Sequence, residues 1–156
     1  MKKDTVYNII IGFFIIAITI LVVVKFFLKG DKTSFVIEDL NDVEISDFSG
    51  KKFNLISLLN KNEETYFLML EVDNCGSCIS KGLSELKSLQ KVGKTCIPIV
   101  IHDRVNEISG WASNYDFSSF FCISKKTYYE YFKFTYLPVI FSIKNKTVKI
   151  IRYITF

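Results

Sequence analysis

The sequence is short of the residues that mark several protein classes. Two Pro and seven Gly in 156 residues exclude collagen-like and low-complexity architectures. Four Cys are too few for a disulfide-dense scaffold. Charge of one sign is also scarce. The net +4 divides into five Lys against two acids in residues 1–32 and 15 Lys or Arg against 14 Asp or Glu in the remainder, so a basic nucleic-acid-binding surface has no support. What is abundant is aromatic: 15 Phe and 8 Tyr exclude disorder. Hydrophobic residues make up 49% and charged residues 23%, with a mean hydropathy of +0.27. That value is high for a wholly soluble protein, so apolar residues must be concentrated somewhere. The length suits one domain with an appendage.

The appendage is N-terminal. Val6 to Val24 is a run of 19 uncharged residues that reaches Leu28 if Lys25 extends its ammonium to the interface. At about 1.5 Å per residue, about 20 residues cross the roughly 30 Å hydrocarbon core. A cleaved signal peptide has a shorter apolar region followed by small residues, whereas Lys25-Phe-Phe-Leu-Lys29 follows here. No Cys trails the run to take a lipid. The expectation is an uncleaved transmembrane helix over about residues 6–28 within an anchor-and-linker segment, 1–32, and a domain over 33–156. Lys2 and Lys3 oppose Lys25, Lys29 and Lys32, so the charge bias nearly cancels. The short N-terminal tail favours a single-pass cell-membrane protein with its domain on the outer side.

In the domain, Val43 to Gly50 and Lys51 to Ile56 form two alternating runs around Ser49-Gly50, which predicts a β-hairpin. Tyr66 to Val72 is a continuous apolar run suited to a strand buried on both faces. Cys75-Gly-Ser-Cys78 follows at once. Ile79, Leu83, Leu86, Leu89 and Val92 then fall at helical spacing, with Gly93 as the stop. Cys96 to His102 reads as a second buried strand, and Val105, Ile108, Trp111, Ala112 and Tyr115 as the stripe of a second helix. Ser119 to Ser124 reads as a short strand and Lys126 to Phe132 as one or two helical turns. Val139 to Ile143 with Thr147 to Ile151 reads as a closing hairpin. This order predicts an α/β fold with mixed strand directions.

The chemistry lies at Cys75 and Cys78. A thiolate attacks disulfides, and the unpaired N–H groups at a helix N-terminus stabilise one placed in the first turn. Cys75 would attack to form a mixed disulfide and Cys78 would resolve it. A lone C-x-x-C also matches half of a zinc site, but the remaining donors, Cys96, Cys122 and His102, are scattered in or beside apolar strands. Cys96 and Cys122 read as buried structural thiols, with a second disulfide between them as the alternative. His102 reads as a polar strand terminus and Trp111 as core.

Over roughly Val43 to Ile151, the chain resembles the membrane-anchored thioredoxin-fold thiol-disulfide oxidoreductases of the TlpA/ResA-like, AhpC/TSA-related group. Asn74-Cys75-Gly76-Ser77-Cys78 sits at that family's strand-to-helix junction, and Tyr136-Leu137-Pro138-Val139 is placed like its cis-proline loop. The resemblance implies a thioredoxin-like mixed sheet flanked by helices. It also implies a cis Pro138 against Cys75, and a Leu137 backbone that pairs with substrate beside Gly76 and Ser77. No cofactor and no metal are implied. Asn74 stands where these proteins commonly carry Trp, and Met69 stands where thioredoxins carry a buried acid. Glu71, in the apolar run, is the candidate proton acceptor for Cys78. The chain ends at Phe156 where the family usually adds a helix, so one face of the sheet near Tyr153, Ile154 and Phe156 is expected to be thinly covered or used for docking.

The functional expectation is reduction of disulfides in exported proteins or peptides, fed by a membrane electron donor. The alternatives on the same fold are a copper-binding assembly factor and a thiol peroxidase. The peroxidatic pattern P-x-x-x-T/S-x-x-C is absent, because the residues ending at Cys75 read Leu-Met-Leu-Glu-Val-Asp-Asn-Cys.

Overall fold

The computed structural model describes residues 34–155 apart from 61, 62, 116, 118 and 133. The expected membrane segment, 6–28, and the linker up to residue 32 lie outside the described residues, as do Thr33 and Phe156. Among the described residues no helix is long and apolar enough to cross a membrane.

The strands are β1 (Ser34–Val36), β2 (Glu44–Asp47), β3 (Lys52–Asn54), β4 (Thr65–Glu71), β5 (Thr95–Ile101), β6 (Phe121–Ile123), β7 (Val139–Lys144) and β8 (Thr147–Tyr153). The helices are α1 (Gly76–Lys91), α2 (Val105–Ala112) and α3 (Lys125–Tyr131), with a 3₁₀ turn at Leu55–Leu58. The strands join one sheet in the order β1-β8-β7-β4-β5-β6-β2-β3. β4, β5 and β6 run parallel, and β7 runs antiparallel to β4.

β4 is central because it is apolar on both sides. Phe67 and Met69 join one core with Ile99, Phe141, Phe132 and Tyr128, while Leu68 and Leu70 join the other with Ile79, Leu83 and Leu86 of α1. α1 is the crossover that a parallel β4–β5 pair requires. β5 carries Pro98, a residue that weakens a central strand. It is tolerated because β6 pairs only from Ile99 onward, so β5 has a neighbour on one side alone at that point. The β7–β8 hairpin closes through Asn145 and Lys146, whose φ angles of 49° and 65° match a two-residue turn with both residues left-handed.

Several boundaries differ from the sequence reading. β1, which pairs with β8, has no counterpart in the sequence reading; three residues carry too little alternation to reveal a strand. Leu55–Leu58 leaves the second arm of the first hairpin for a 3₁₀ turn. Val92 is 71% exposed and lies past α1, where Gly93 at φ +82° turns the chain. Tyr115 follows α2 rather than belonging to it.

Of the residues expected to be thinly covered at the end of the sheet, Ile154 is buried and Tyr153 half-buried, while Phe156 lies outside the described residues. Ile154 is 3% exposed, and its Cγ1 would stand 3.6 Å from a Cβ at Gly82 of α1. Lys81 Nζ donates to the Thr155 carbonyl at 2.8 Å and Arg152 pairs with Glu85 at 2.7 Å. The segment after β8 thus lies against α1 and holds it to the sheet.

Candidate functional site

The site forms where β4 hands the chain to α1. Cys75 is the N-cap of α1. Its Sγ accepts the Cys78 N–H at 3.1 Å, and its carbonyl accepts the Ile79 N–H at 3.0 Å. The first helical turn brings the two Cα atoms to 5.3 Å, and the sulfurs are joined in a disulfide. That separation is ordinary for a disulfide. The two cysteines are unequal: Cys75 is half-buried, whereas Cys78 is 8% exposed and packs into the core beside Leu68 and Leu70. An incoming group meets Cys75 first. Gly76 and Ser77 are exposed, and Ser77 Oγ stands 3.5 Å from Cys75 Sγ. The first turn of α1 holds no acid, so nothing there opposes the stabilisation of a thiolate by the helix N-terminus.

Asn74 shapes the junction. Its N–H donates to the Glu71 carbonyl at 3.1 Å, and its Oδ1 accepts the Glu71 N–H at 2.8 Å. The side chain thereby satisfies a strand-end donor, as short polar side chains do at turns. In the sequence this residue stood out only as a departure from the family. The signal available was an Asn immediately before a helix N-cap.

The second half of the site comes from the loop before β7. Antiparallel pairing of Met69 with Val139 brings the start of β7 to the end of β4 at which α1 begins. The Leu137–Pro138 peptide is cis, and the Pro138 carbonyl accepts the Ile154 N–H at 2.8 Å. Leu137 is half-buried; Tyr136 is 65% exposed, with its ring edge-on to Tyr153 at 5.7 Å. The topology thus brings Cys75, Cys78, Leu137 and Pro138 to one end of the sheet.

Other expected residues stand elsewhere. Glu71 is half-buried at the end of β4, but alternation turns its side chain to the Phe67 and Met69 face, opposite the Leu68 and Leu70 face that holds Cys78. Its carboxylate makes no hydrogen bond to either cysteine. Its charge acts on Tyr128, whose phenol is pushed up to about 12, first by burial and then by Glu71. Glu71 thus lies on the sheet face opposite Cys78, and the structure does not bring its carboxylate to the expected partner. His102 serves locally: its Nδ1 accepts the Arg104 N–H at 3.0 Å, and its Nε2 lies 3.7 Å from Glu107. Trp111 packs on Tyr115 and Phe120.

Cys96 and Cys122 are free thiols. Val100, not Cys96, pairs with Cys122, and four residues along a strand span about 13 Å. Cα atoms more than about 7 Å apart cannot be bridged without backbone movement, so the alternative of a second disulfide is overturned. Burial pushes the Cys96 thiol up to about 11 and the Cys122 thiol up to about 12. Among the described residues no group of three or more His, Cys, Asp or Glu side chains is placed to hold a metal ion.

No family model and no curated protein matches the chain in sequence. Solved structures do match in fold. MTB DsbF, in its mixed oxidized and reduced forms, aligns with a TM-score of 0.59 at 14% identity, covering 77% of this chain and 90% of that one. A secreted Mycobacterium tuberculosis disulfide oxidoreductase homologous to E. coli DsbE aligns at 0.51 and 13%, covering 69% and 80%. BsSco, a member of the Sco family of cytochrome c oxidase assembly proteins with a disulfide switch, aligns at 0.51 and 15%, covering 74% and 86%. These likenesses establish a thioredoxin-like fold, a mixed sheet with flanking helices.

Proposed function

We propose that this protein is a membrane-anchored thiol-disulfide oxidoreductase that reduces disulfides in exported proteins or peptides through Cys75 and Cys78. The observation that carries the reading is the asymmetric pair at the start of α1: a half-buried Cys75 whose Sγ receives a helix N–H, and a buried Cys78 one turn behind it. In the reduced protein the Cys75 thiolate attacks one substrate sulfur, forming a Cys75–substrate disulfide and releasing the other substrate sulfur as thiolate. The Cys78 thiolate then attacks Cys75 Sγ, so the second substrate sulfur leaves and the Cys75–Cys78 disulfide forms. The substrate gains two electrons and the pair loses two. A dithiol donor in or at the membrane returns them by the reverse exchange.

In this reading Pro138 borders the attacking sulfur, the Leu137 backbone pairs with an extended substrate segment, and exposed Gly76 and Ser77 leave room for it. Residues 6–28 tether the domain on the outer side of the cell membrane.

Trapping tests the reading. The full chain carrying Cys78→Ser, reduced and then mixed with a peptide disulfide, should accumulate a mixed disulfide that mass spectrometry places on Cys75. The Cys75→Ser chain should give none. A Cys78→Ser chain that leaves the peptide disulfide untouched overturns the reading. Tight uptake of one copper by the reduced chain would shift it to the copper-assembly alternative that the Sco likeness suggests.

A further inference from the structure

We infer that Asn74 is a positioning residue for Cys75: its side chain clamps the end of β4 and thereby fixes the attacking sulfur at the N-terminus of α1. The inference rests on the reading of Cys75 as the attacking thiol. Pairing with β7 stops at Met69 and Val139, and pairing with β5 stops at Glu71 and Ile101. Beyond Glu71, Val72 to Cys75 must redirect the chain from the strand into the helix. Across that stretch Asn74 grips Glu71 twice, by N–H to carbonyl at 3.1 Å and by Oδ1 to N–H at 2.8 Å.

Two hydrogen bonds to one residue fix both the distance and the rotation of Asn74 relative to the strand. The next Cα is that of Cys75, held at φ −59° and ψ 134°, with Sγ on the Cys78 N–H at 3.1 Å. Only the torsions between residues 74 and 75 separate the clamp from the sulfur. Without the side-chain bond, Glu71 N–H loses its acceptor and the loop gains freedom. Cys75 then spends less time on the N–H groups that favour its thiolate. Asn74→Ala therefore acts on reactivity through placement, without touching substrate.

The test uses the full chain reduced with dithiothreitol and treated with iodoacetamide from pH 5 to pH 9, with mass spectrometry following each cysteine separately. Asn74→Ala should slow modification of Cys75 at pH 7 by about fivefold, the effect of one lost hydrogen bond, and move its pH profile upward. Cys96, half-buried, and Cys122, buried, in the same domain, should keep their wild-type rates. Glu71 amide hydrogen exchange, read by NMR, should accelerate in Asn74→Ala and stay protected in Asn74→Asp, which retains the acceptor oxygen.

The inference is overturned if Cys75 in Asn74→Ala stays within twofold of wild type. It is equally overturned if Cys75 slows only while Cys96 and Cys122 become more reactive, which would show general loosening, or if Asn74→Asp fails to protect Glu71. Failure of the functional reading is a separate result: wild-type Cys75 would then react no faster than a free thiol, whatever the ratio between variant and wild type.

Discussion

Reduction of the chain leaves four thiols that the structure places in unlike surroundings, and their rates with a disulfide reagent follow from ionisation and basicity. At pH 7.5 a free thiol with a pKa of about 8.5 is about 9% ionised. Cys96, pushed up to about 11 by burial, is about 0.03% ionised, a deficit of about 300-fold. The more basic thiolate is the better nucleophile, by about 13-fold at a Brønsted slope of about 0.45. The balance leaves Cys96 about 20-fold slower than a free thiol. The same arithmetic makes Cys122, pushed up to about 12, about 75-fold slower, before its burial impedes the reagent further. Cys75, at a helix N-terminus, should react at least as fast as a free thiol. The assay is release of thiopyridone from dithiodipyridine by the reduced full chain, with glutathione as reference and peptide mapping to assign each site. Cys96 reacting within threefold of glutathione, or Cys75 lagging behind it, would refute the reasoning.

Two further perturbations bear on stability. Ile154→Ala empties the contact between the segment after β8 and α1 at Gly82; it should cost about 2–5 kcal/mol, read as a fall in denaturation midpoint with an unchanged slope. Glu64 accepts hydrogen bonds from the Ser142 and Tyr66 hydroxyls, and the Ser142 bond is the main cause holding its carboxyl below the ordinary 4.5. Its folded value is depressed, so its stabilisation is complete above the unfolded range and fades as pH falls through the folded value. Glu64→Gln should flatten that acid-side dependence in urea titrations. Glu64→Ala should in addition cost about 1–3 kcal/mol at pH 7, because Ser142, 1% exposed, loses its acceptor.

What could be read from the sequence was what periodicity and local chemistry encode. Tyr66 to Val72 announced a doubly buried strand because apolar residues on both faces leave no other placement, and the stripe from Ile79 to Leu89 announced the helix that Cys75 opens. The mixed sheet followed from their order. The pairings of β1 with β8 and of β2 with β6 were not legible, since a short edge strand is defined by its distant partner rather than by its own pattern. The relation of Glu71 to Cys78 was not legible for a related reason: its position in the run was visible, but which face α1 covers is settled only in the packed fold. Ile154 looked uncovered because the helix that shelters it lies some seventy residues earlier in the chain. Asn74 was visible as an anomaly, yet its bond to Glu71 exists only once the strand end and helix start are fixed in space.

The central claim is that Cys75 and Cys78 form a working redox couple. The most direct test is a titration of the full chain in glutathione and dithiothreitol buffers of graded potential, with free thiols trapped and located by mass spectrometry. The account predicts a single reversible two-electron transition confined to Cys75 and Cys78, with Cys96 and Cys122 reduced throughout and a midpoint below about −250 mV, as befits a reductant. A midpoint above about −200 mV would contradict the proposed direction of electron flow. Failure of the Cys75–Cys78 disulfide to form at any potential would contradict the account itself.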